Sequence, residues 1–545
     1  MKITPKKLKI EEEPALFNDY LFNFDKLDQF FFWNPAQDWD SCFEERLKNY
    51  QNRSNVKDIL ISQNQKWTQS KNTFKNIEKL GLSNALAVVT GQQVGLFGGP
   101  LYSLYKAITT IKLSEKLQEK YPDYHFVPLF WLEAGDNDFA EINRFELLDA
   151  ANNPVLFSLP VDVKDQRSVS LRKIPEEINT VFQKLEEILP LSDFRDEILE
   201  AYKKIYSADK FFHDAFAEWL QYLLEERGLV IINATAPEFG DLNKQIFKKA
   251  VRLNKKLKQE FGGVNQELSE KGYHHQITWG EEQTLLFRQD NHKNRKKVET
   301  ENEKFIIAEN SEKVIFTEKE ILPDIEQNPA LYTPNVALRP ILQDFLLPTV
   351  TYIAGPGEIS YAAQLKPLYQ VLEVPSPVFY PRVRITLIEN KINRLIDKFN
   401  FTYDEIFASR DSLTQKYVSQ ISNAQLGEFL NRSTNKIDEI FLSIKEELIK
   451  IDPTLQSSVE KTAANVQQVV KKLEHKANQA FERKMSTELS QIEKINNNIF
   501  PEKDYQERKL NALQYLSRYG KELVDLIYNA VDIEDFSHQL LILDN

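Results

Sequence analysis

The chain has 545 residues, 42% of them hydrophobic and 28% charged, a globular composition with room for roughly three or four domains. A net charge of -12 argues against a nucleic-acid partner, a local basic patch aside, and the single cysteine, Cys42, excludes an intramolecular disulfide. No stretch approaches the ~20 apolar residues of a spanning helix, and MKITPKKLKIEEEPALF lacks an apolar core of signal-peptide length, so a cytoplasmic protein with no membrane contact is expected.

The aromatic run Phe30–Trp33 is too short to span a membrane, and Cys42 beside Phe43 reads as a packing residue rather than a nucleophile. Leu86–Val89 is the first apolar run of strand type, and TGQQVGLFGGPLYSLYKA follows from Thr90 to Ala107. Pro100 occupies a first-helical-residue position, and Leu101, Leu104, Tyr105, Ile108 and Ile111 mark one face of a helix over Leu101–Leu117. A strand, a glycine- and amide-rich loop and a helix in succession can turn backbone N–H groups toward an anion. A tight turn without a ligand is the plainer alternative, but Gln92, Gln93, Tyr102 and Lys106 place polar groups beside it. Gly91, Gly95, Gly98 and Gly99 match neither GxGxxG nor a Walker loop.

Phe126–Leu132 is the second strand, followed by the acidic cluster Glu133, Asp136, Asp138 and Glu141 in WLEAGDNDFAEIN. These carboxylates suit magnesium, an amine or proton transfer, and Asp136 and Asp138 equally suit a helix start. Residues near 160–205 are charged and helical. A helix over Phe211–Leu224 leads to the third strand, Leu229–Ile232. Residues near 245–335 carry weaker strand patterns at Gln276–Trp279, Leu285–Arg288 and Lys304–Ala308, with Asn291–Lys304 as an exposed hairpin or loop.

Thr333-Pro334-Asn335-Val336 and Leu338-Arg339-Pro340 precede the fourth strand, Val350–Ala354. Gly355-Pro356-Gly357-Glu358 then turns into a helix bearing Tyr361 and Gln364. After the fifth strand, Val378–Tyr380, come Arg382 and Arg384, which with Arg339 form candidate clamps for carboxylate or phosphate at strand ends. Strands alternating with helices predict an α/β fold with a parallel sheet, whose polar strand ends gather on one rim. Gln92, Asp136, Arg339 and Glu358 must then share a pocket.

From about 390 to 500 the pattern is heptad. Ile437, Phe441, Ile444, Leu448, Ile451 and Leu455 form one run, and Val459, Ala463, Val466, Val470, Leu473, Ala477 and Ala480 another. Phe481, Met485, Leu489 and Ile492 continue it after a phase shift. A break at Asp452-Pro453 predicts an antiparallel helical arm, with a bundle packed on the core as the alternative and a dimer contact on any unpaired seam. Lys484-Met485-Ser486 matches part of the KMSKS element of class I aminoacyl-tRNA synthetases, but Met485 falls on this apolar stripe and the match reads as coincidence. The seven histidines are scattered without HxxxH or HExxH spacing, so no usual zinc site is expected and the metal stays unassigned.

VVTGQQVGLFGGPLYSLYKA, VPLFWLEAGDNDFAEIN, NVALRPILQDFLLPTVTYIAGPGEISYAAQLKP and NNIFPEKDYQERKLN together resemble the BshC family, the cysteine-adding enzymes of bacillithiol biosynthesis. The likeness runs in matching order over most of the chain and is weaker from Gly272-Tyr273 through Phe287. Asn137 departs from the family, where histidine is common, while Asp136 and Asp138 remain.

The resemblance implies a Rossmann-like core over 1–160, 206–245 and 336–390, a helical insertion at 161–205 and a connecting-peptide α+β insertion at 246–335. It further implies an antiparallel coiled-coil domain at 391–500 that makes a homodimer, and a 501–545 segment returning to the core. The implied reaction is the last step of bacillithiol biosynthesis, an amide joining L-cysteine to glucosamine-malate. A carboxylate is a poor acyl donor, so ATP with magnesium is expected to activate it as an adenylate or acyl phosphate.

On this reading Gln92, Gln93 and Lys106 hold an anionic group, and Arg339 and Arg382 hold malate carboxylates or a phosphate. Asp136, Asp138 or Glu358 binds an ammonium or takes a proton, and Tyr102, Glu133, Asn335, Gly355, Gly357 and Tyr361 complete the contacts. The alternatives are a nucleotidyl transferase or adenylating ligase acting on another small molecule, and a non-catalytic coiled-coil scaffold.

Overall fold

The five apolar runs become five parallel strands of one sheet. In chain order the elements are β1 (Ala85–Gln93), α1 (Tyr102–Lys120), β2 (His125–Glu133), β3 (Val230–Ile232), α2 (Gly240–Arg252), α3 (Leu338–Leu346), β4 (Thr349–Ala354), α4 (Pro356–Ala362) and β5 (Val378–Pro381). The spatial order is β5-β4-β1-β2-β3, every neighbour parallel. The computed structural model describes residues 2–8, 14–36, 39–162, 164–309, 312–421 and 424–544, without the side chains at 312, 421–431, 474 and 477–484.

A sheet covered on both faces demands apolar residues on both sides of each strand. Alternate residues of β1 do this: Leu86 and Val88 enter one core, Ala87 and Val89 the other. In β2, Phe126, Phe130 and Leu132 oppose Val127, Leu129 and Trp131 in the same way. Cys42 packs in the first of these cores, where burial pushes its thiol up to about 12, as suits a packing residue.

Several local expectations are corrected. Gln92 and Gln93 lie on β1 itself, paired in register with Leu132 and Glu133, not on a loop. Pro100 bridges to Asn511, and α1 starts two residues later at Tyr102. The glycines after β1 do not cradle a ligand but let the backbone close against other buried groups. Gly98 and Gly99 have φ of +86° and +68°, and a Cβ on Gly98 would lie 2.4 Å from the Trp219 ring. Asn511 Nδ2 donates to the carbonyls of Phe97 and Gly99 at 3.0 and 2.6 Å, which consumes the outward face of the loop. Helix α4 starts at Pro356 and stops short of Gln364, and Arg339 lies in the first turn of α3 rather than at a strand end.

The chain divides into two compact units, Met1–Ala150 with Pro154–Leu387 and Gln506–Asn545, and Ala151–Asn153 with Ile388–Tyr505. Within the first, a five-stranded antiparallel sheet has the order Glu312–Phe316, Lys304–Glu309, Arg295–Glu301, Gln283–Gln289, Tyr332–Pro334. Gln276–Trp279 is not a strand, and Asn291–Lys304 contains one, with Val298 fully buried. Lys2–Leu8 pairs antiparallel with His538–Asp544 in a separate sheet.

In the second unit, α5 (Ala424–Ile451) and α6 (Gln456–Lys484) form a helical hairpin whose turn holds Pro453. Lys445 pairs with Glu460 at 2.6 Å and Gln467 with Asp438 at 2.8 Å, a register that runs in opposite directions along the two helices. Leu448, Leu455, Val459, Val466 and Val470 are buried or half-buried, whereas Ile444, Ile451 and Leu473 of the predicted seam stay 40%, 77% and 60% exposed. Ala477, Ala480 and Phe481 have side chains outside the described set. Met485 sits at the junction between α6 and the helix Ser486–Ile499, not inside one long helix. Among the described residues no helix is long and apolar enough to cross a membrane.

The two glycine environments separate cleanly by mutation. Gly98→Ala, with a clash and a left-handed backbone, should destabilise the first unfolding transition by about 2–4 kcal/mol. Gly357→Ala, with nothing within 4 Å of an added Cβ, should change it by less than about 1 kcal/mol. Urea denaturation followed by tryptophan fluorescence reads both, and equal midpoints would refute the packing role of Gly98.

Candidate active site

Beyond the carboxyl ends of the parallel strands lies a cavity of about 680 Å³, of the size that takes small-molecule ligands. Gln92, Gln93, Tyr102, Lys106, Glu133, Asp136, Asn335, Arg339, Gly355, Gly357, Glu358, Tyr361 and Arg382 all line it. Asp138 does not. Its carboxylate accepts from the Glu141 N–H and caps the short helix Phe139–Ile142 on the exposed surface. Asn137 is likewise not a lining residue.

Lys106, buried on the first turns of α1, gives its ammonium to the Gly91 carbonyl at 2.8 Å, Gln92 Oε1 at 3.1 Å and Glu358 Oε2 at 2.5 Å. An ammonium has three donors, and all three are used, so Lys106 fixes the walls rather than awaiting an anion. Burial opposes ionisation of Glu358, but Lys106, the Gly355 N–H and the Tyr352 hydroxyl outweigh it and hold the carboxyl below its usual range. Burial pulls the Lys106 ammonium down, and Glu358 counters that pull. Three acceptors around one ammonium favour the ionised pair.

Glu133, the last residue of β2, sits beside Gln93 in register and 3.9 Å from Arg339 Nε. Burial lifts its carboxyl above the usual value, against the pull of Arg339 and Arg295. Arg339 also donates to Gln343 Oε1 at 3.1 Å and reaches the Tyr352 hydroxyl at 3.5 Å. Asn335 Oδ1 accepts the Ala337 and Leu338 N–H groups, so Asn335 shapes the entry to α3. Asp136 accepts from Gln93 Nε2 at 3.2 Å and from Arg295 Nη1 at 3.3 Å. Burial pushes the Tyr102 and Tyr361 hydroxyls up to about 12, which keeps them protonated donors.

Arg295 was not foreseen. It comes from the strand expected to be an exposed hairpin, lies 3.6 Å from the Phe287 ring centroid and donates to Thr333 Oγ1 and the Pro334 carbonyl. Tyr352 was also missed, although a tyrosine within the strand that leads into Gly355-Pro356-Gly357-Glu358 was a readable signal. Arg382 lines the cavity while paired at 2.7 Å with Glu507, both side chains almost fully buried. Arg384 instead donates to the Phe536 carbonyl outside the cavity lining.

Breaking the Lys106–Glu358 pair should be costly. Lys106→Met should destabilise by about 3–5 kcal/mol, and adding Glu358→Gln should recover more than half. Because the Glu358 carboxyl is depressed in the fold, its contribution should be complete above about pH 5 and be lost as pH falls through the depressed value. Denaturation across pH checks both, and a double variant no better than Lys106→Met alone would refute the pairing.

Comparison with known proteins agrees with this architecture. Residues 1–383 match the family model described as "Bacillithiol biosynthesis BshC, N-terminal Rossmann-like domain", and residues 385–543 match "Bacillithiol biosynthesis BshC, C-terminal coiled-coil domain". A Salinibacter ruber protein is 30% identical over 97% of this chain and 96% of its own length. One from Natranaerobius thermophilus is 30% identical over 93% and 94%, and one from Chloroherpeton thalassium 32% identical over 89% and 87%. All three carry the name "Putative cysteine ligase BshC". With both family models matched in order along a Rossmann-like core and a helical hairpin, the chain belongs to the BshC family.

Proposed function

We propose that this chain is a ligase that joins the carboxyl group of L-cysteine to the amine of glucosamine-malate. The observation that carries the reading is one cavity walled by both carboxylates and guanidinium groups, Glu133 and Asp136 facing Arg339 and Arg295. A substrate pair bearing carboxylates and amines needs both signs of charge within one desolvated space.

Arg339 holds a substrate carboxylate, since its guanidinium forms the cationic wall opposite Glu133. Asp136, 35% exposed toward the cavity, takes the proton from the attacking amine. Glu358 is held from that task by its pair with the buried Lys106 at 2.5 Å, tighter than the 3.3 Å between Arg295 and Asp136. Arg382, Arg508 and Lys297 are the cationic lining suited to the phosphates of ATP. ATP, when bound, supplies the activation that a free carboxylate lacks. Among the described residues no three His, Cys, Asp or Glu side chains could hold a metal. Magnesium would therefore come with the nucleotide, with one or two carboxylates of the chain beside it.

A homodimer belongs to the same proposal. Ile440, Ile444 and Ile451 on α5, and Val469 and Leu473 on α6, are 40–77% exposed, an apolar face that a second copy would cover.

Purified protein with L-cysteine, glucosamine-malate and ATP should yield bacillithiol by mass spectrometry, and absence of product with any activating nucleotide would sink the reading. Asp136→Asn and Arg339→Ala, with unchanged circular dichroism, should each lower turnover by about 100-fold or more. Undiminished turnover removes that residue from the site. Sedimentation equilibrium should give twice the chain mass, and Ile444→Lys with Val469→Lys should halve it; a monomeric native protein would end the dimer proposal.

A further inference from the structure

We infer that Asp344, behind the cavity wall, is a positioning residue for Arg339: it sets the sense of the Gln343 amide, which then presents its oxygen to the guanidinium. The assignment rests on the ligase reading, in which Arg339 holds a substrate carboxylate, and accounts for how that guanidinium keeps its place.

Arg339, Gln343 and Asp344 all lie on α3, and their spacing decides their contacts. Gln343 comes four residues after Arg339, so the two side chains share a helix face. Asp344 is turned about 100° further around the helix. There it meets Tyr369 of the helix Lys366–Leu372. Gln343, Asp344 and Tyr369 are at most 2% exposed, so their polar atoms must satisfy one another.

A primary amide donates at one end and accepts at the other. Gln343 Nε2 donates to Asp344 Oδ1 at 3.0 Å, and its Oε1 accepts from Arg339 Nη1 at 3.1 Å. The opposite sense would set an NH2 against a guanidinium and a carbonyl against a carboxylate, two repulsive contacts. Asp344 therefore decides which end of Gln343 faces Arg339. The Tyr369 hydroxyl donates to Asp344 Oδ2 at 2.5 Å, so both carboxylate oxygens serve as acceptors. Burial lifts the Asp344 carboxyl above its usual range, against the pull of Arg46, Tyr369 and Gln343.

A second anchor on the guanidinium repeats the device. Arg339 Nη2 lies 3.5 Å from the Tyr352 hydroxyl, which spends its own proton on Glu358 Oε1 at 2.8 Å. Its oxygen is left to accept. In both cases a carboxylate acts on Arg339 through one intervening polar group. Glu358 lines the cavity, whereas Asp344 and Gln343 do not, so Asp344 reaches a ligand through Arg339.

Substitution at 344 separates positioning from binding. In Asp344→Asn the new carbonyl must face the Tyr369 hydroxyl, which points the new NH2 at Gln343. The Gln343 amide then turns over, and its own NH2 pushes the guanidinium aside.

Glucosamine-malate and L-cysteine are each titrated calorimetrically into the full-length protein and its variants. Arg339→Ala should weaken at least one of them about tenfold or more, as loss of a charge-assisted hydrogen bond does. Asp344→Asn should weaken whatever Arg339→Ala weakens, again by about tenfold, and nothing else. Gln343→Glu combined with Asp344→Asn exchanges the carboxylate and the amide. The carboxylate at 343 then accepts from both Arg339 and the new amide, and affinity should return to within about fivefold of the native value. A merely structural Asp344 would gain nothing from that exchange. The exchange also serves if Asp344→Asn fails to fold, since near-native affinity is still required of it. Undiminished affinity in Asp344→Asn, equal loss for a substrate that Arg339→Ala spares, or no recovery in the exchange overturns the positioning role alone. Arg339→Ala with both affinities intact, or a native protein that binds neither substrate, overturns the ligase reading beneath it.

Discussion

The site is built around a buried lysine. Lys106 on α1 ties the Gly91 carbonyl and Gln92 of β1 to Glu358 on α4, so one ammonium spans the ends of the central strand β1 and its neighbour β4 and the helices that follow them. A charge so placed is tolerated only when all its protons find acceptors, and here all three do. The requirement works in both directions. The acceptors hold Lys106, and Lys106 holds the glutamine, carbonyl and carboxylate that wall the cavity. Loss of one member therefore disturbs the geometry of several.

From Glu358 the polar network continues. Its second oxygen accepts from Tyr352, whose hydroxyl lies 3.5 Å from Arg339, and Arg339 donates to Gln343. Gln343 in turn donates to Asp344, whose other oxygen takes the Tyr369 hydroxyl. Buried hydrogen-bonded chains of this kind polarise one another and hold a guanidinium in one place without reorganisation when charge arrives. The scaffold backs this network with the second apolar core, to which Tyr352 and Tyr369 themselves belong.

Much of this was legible because strands buried on both faces leave a plain trace. The runs at Leu86, Phe126, Leu229, Val350 and Val378 could hardly be read otherwise, and a parallel sheet obliges their polar ends to converge. What stayed hidden was what depends on contacts distant in sequence. Whether Gly98 faces a ligand or Trp219 is decided by a helix more than a hundred residues away. Arg295 looked like one more charge in a basic, polar stretch, and only the pairing of its strand beside Gln283–Gln289 brings it to Asp136. Asp138 and Asp136 were indistinguishable as carboxylates two residues apart. The turn into Phe139–Ile142 sends one to cap a helix and the other into the cavity.

Glu133 and Asp136 show how one strand end can furnish two different acids. Glu133 closes β2 and Asp136 comes three residues later, yet burial raises the Glu133 carboxyl against the pull of Arg339 and Arg295. Asp136 stands nearer solvent, steadied by Gln93 and Arg295. The difference arises because Glu133 still belongs to the sheet, in register with Gln93, whereas Asp136 has left it. With side chains 26% and 35% exposed, the two differ more in partners than in access: Glu133 lies among guanidinium groups, and Asp136 takes the Gln93 amide as well. On the proposed ligase reading, this short segment fixes the distance between the carboxylate beside Arg339 and the one that takes the proton.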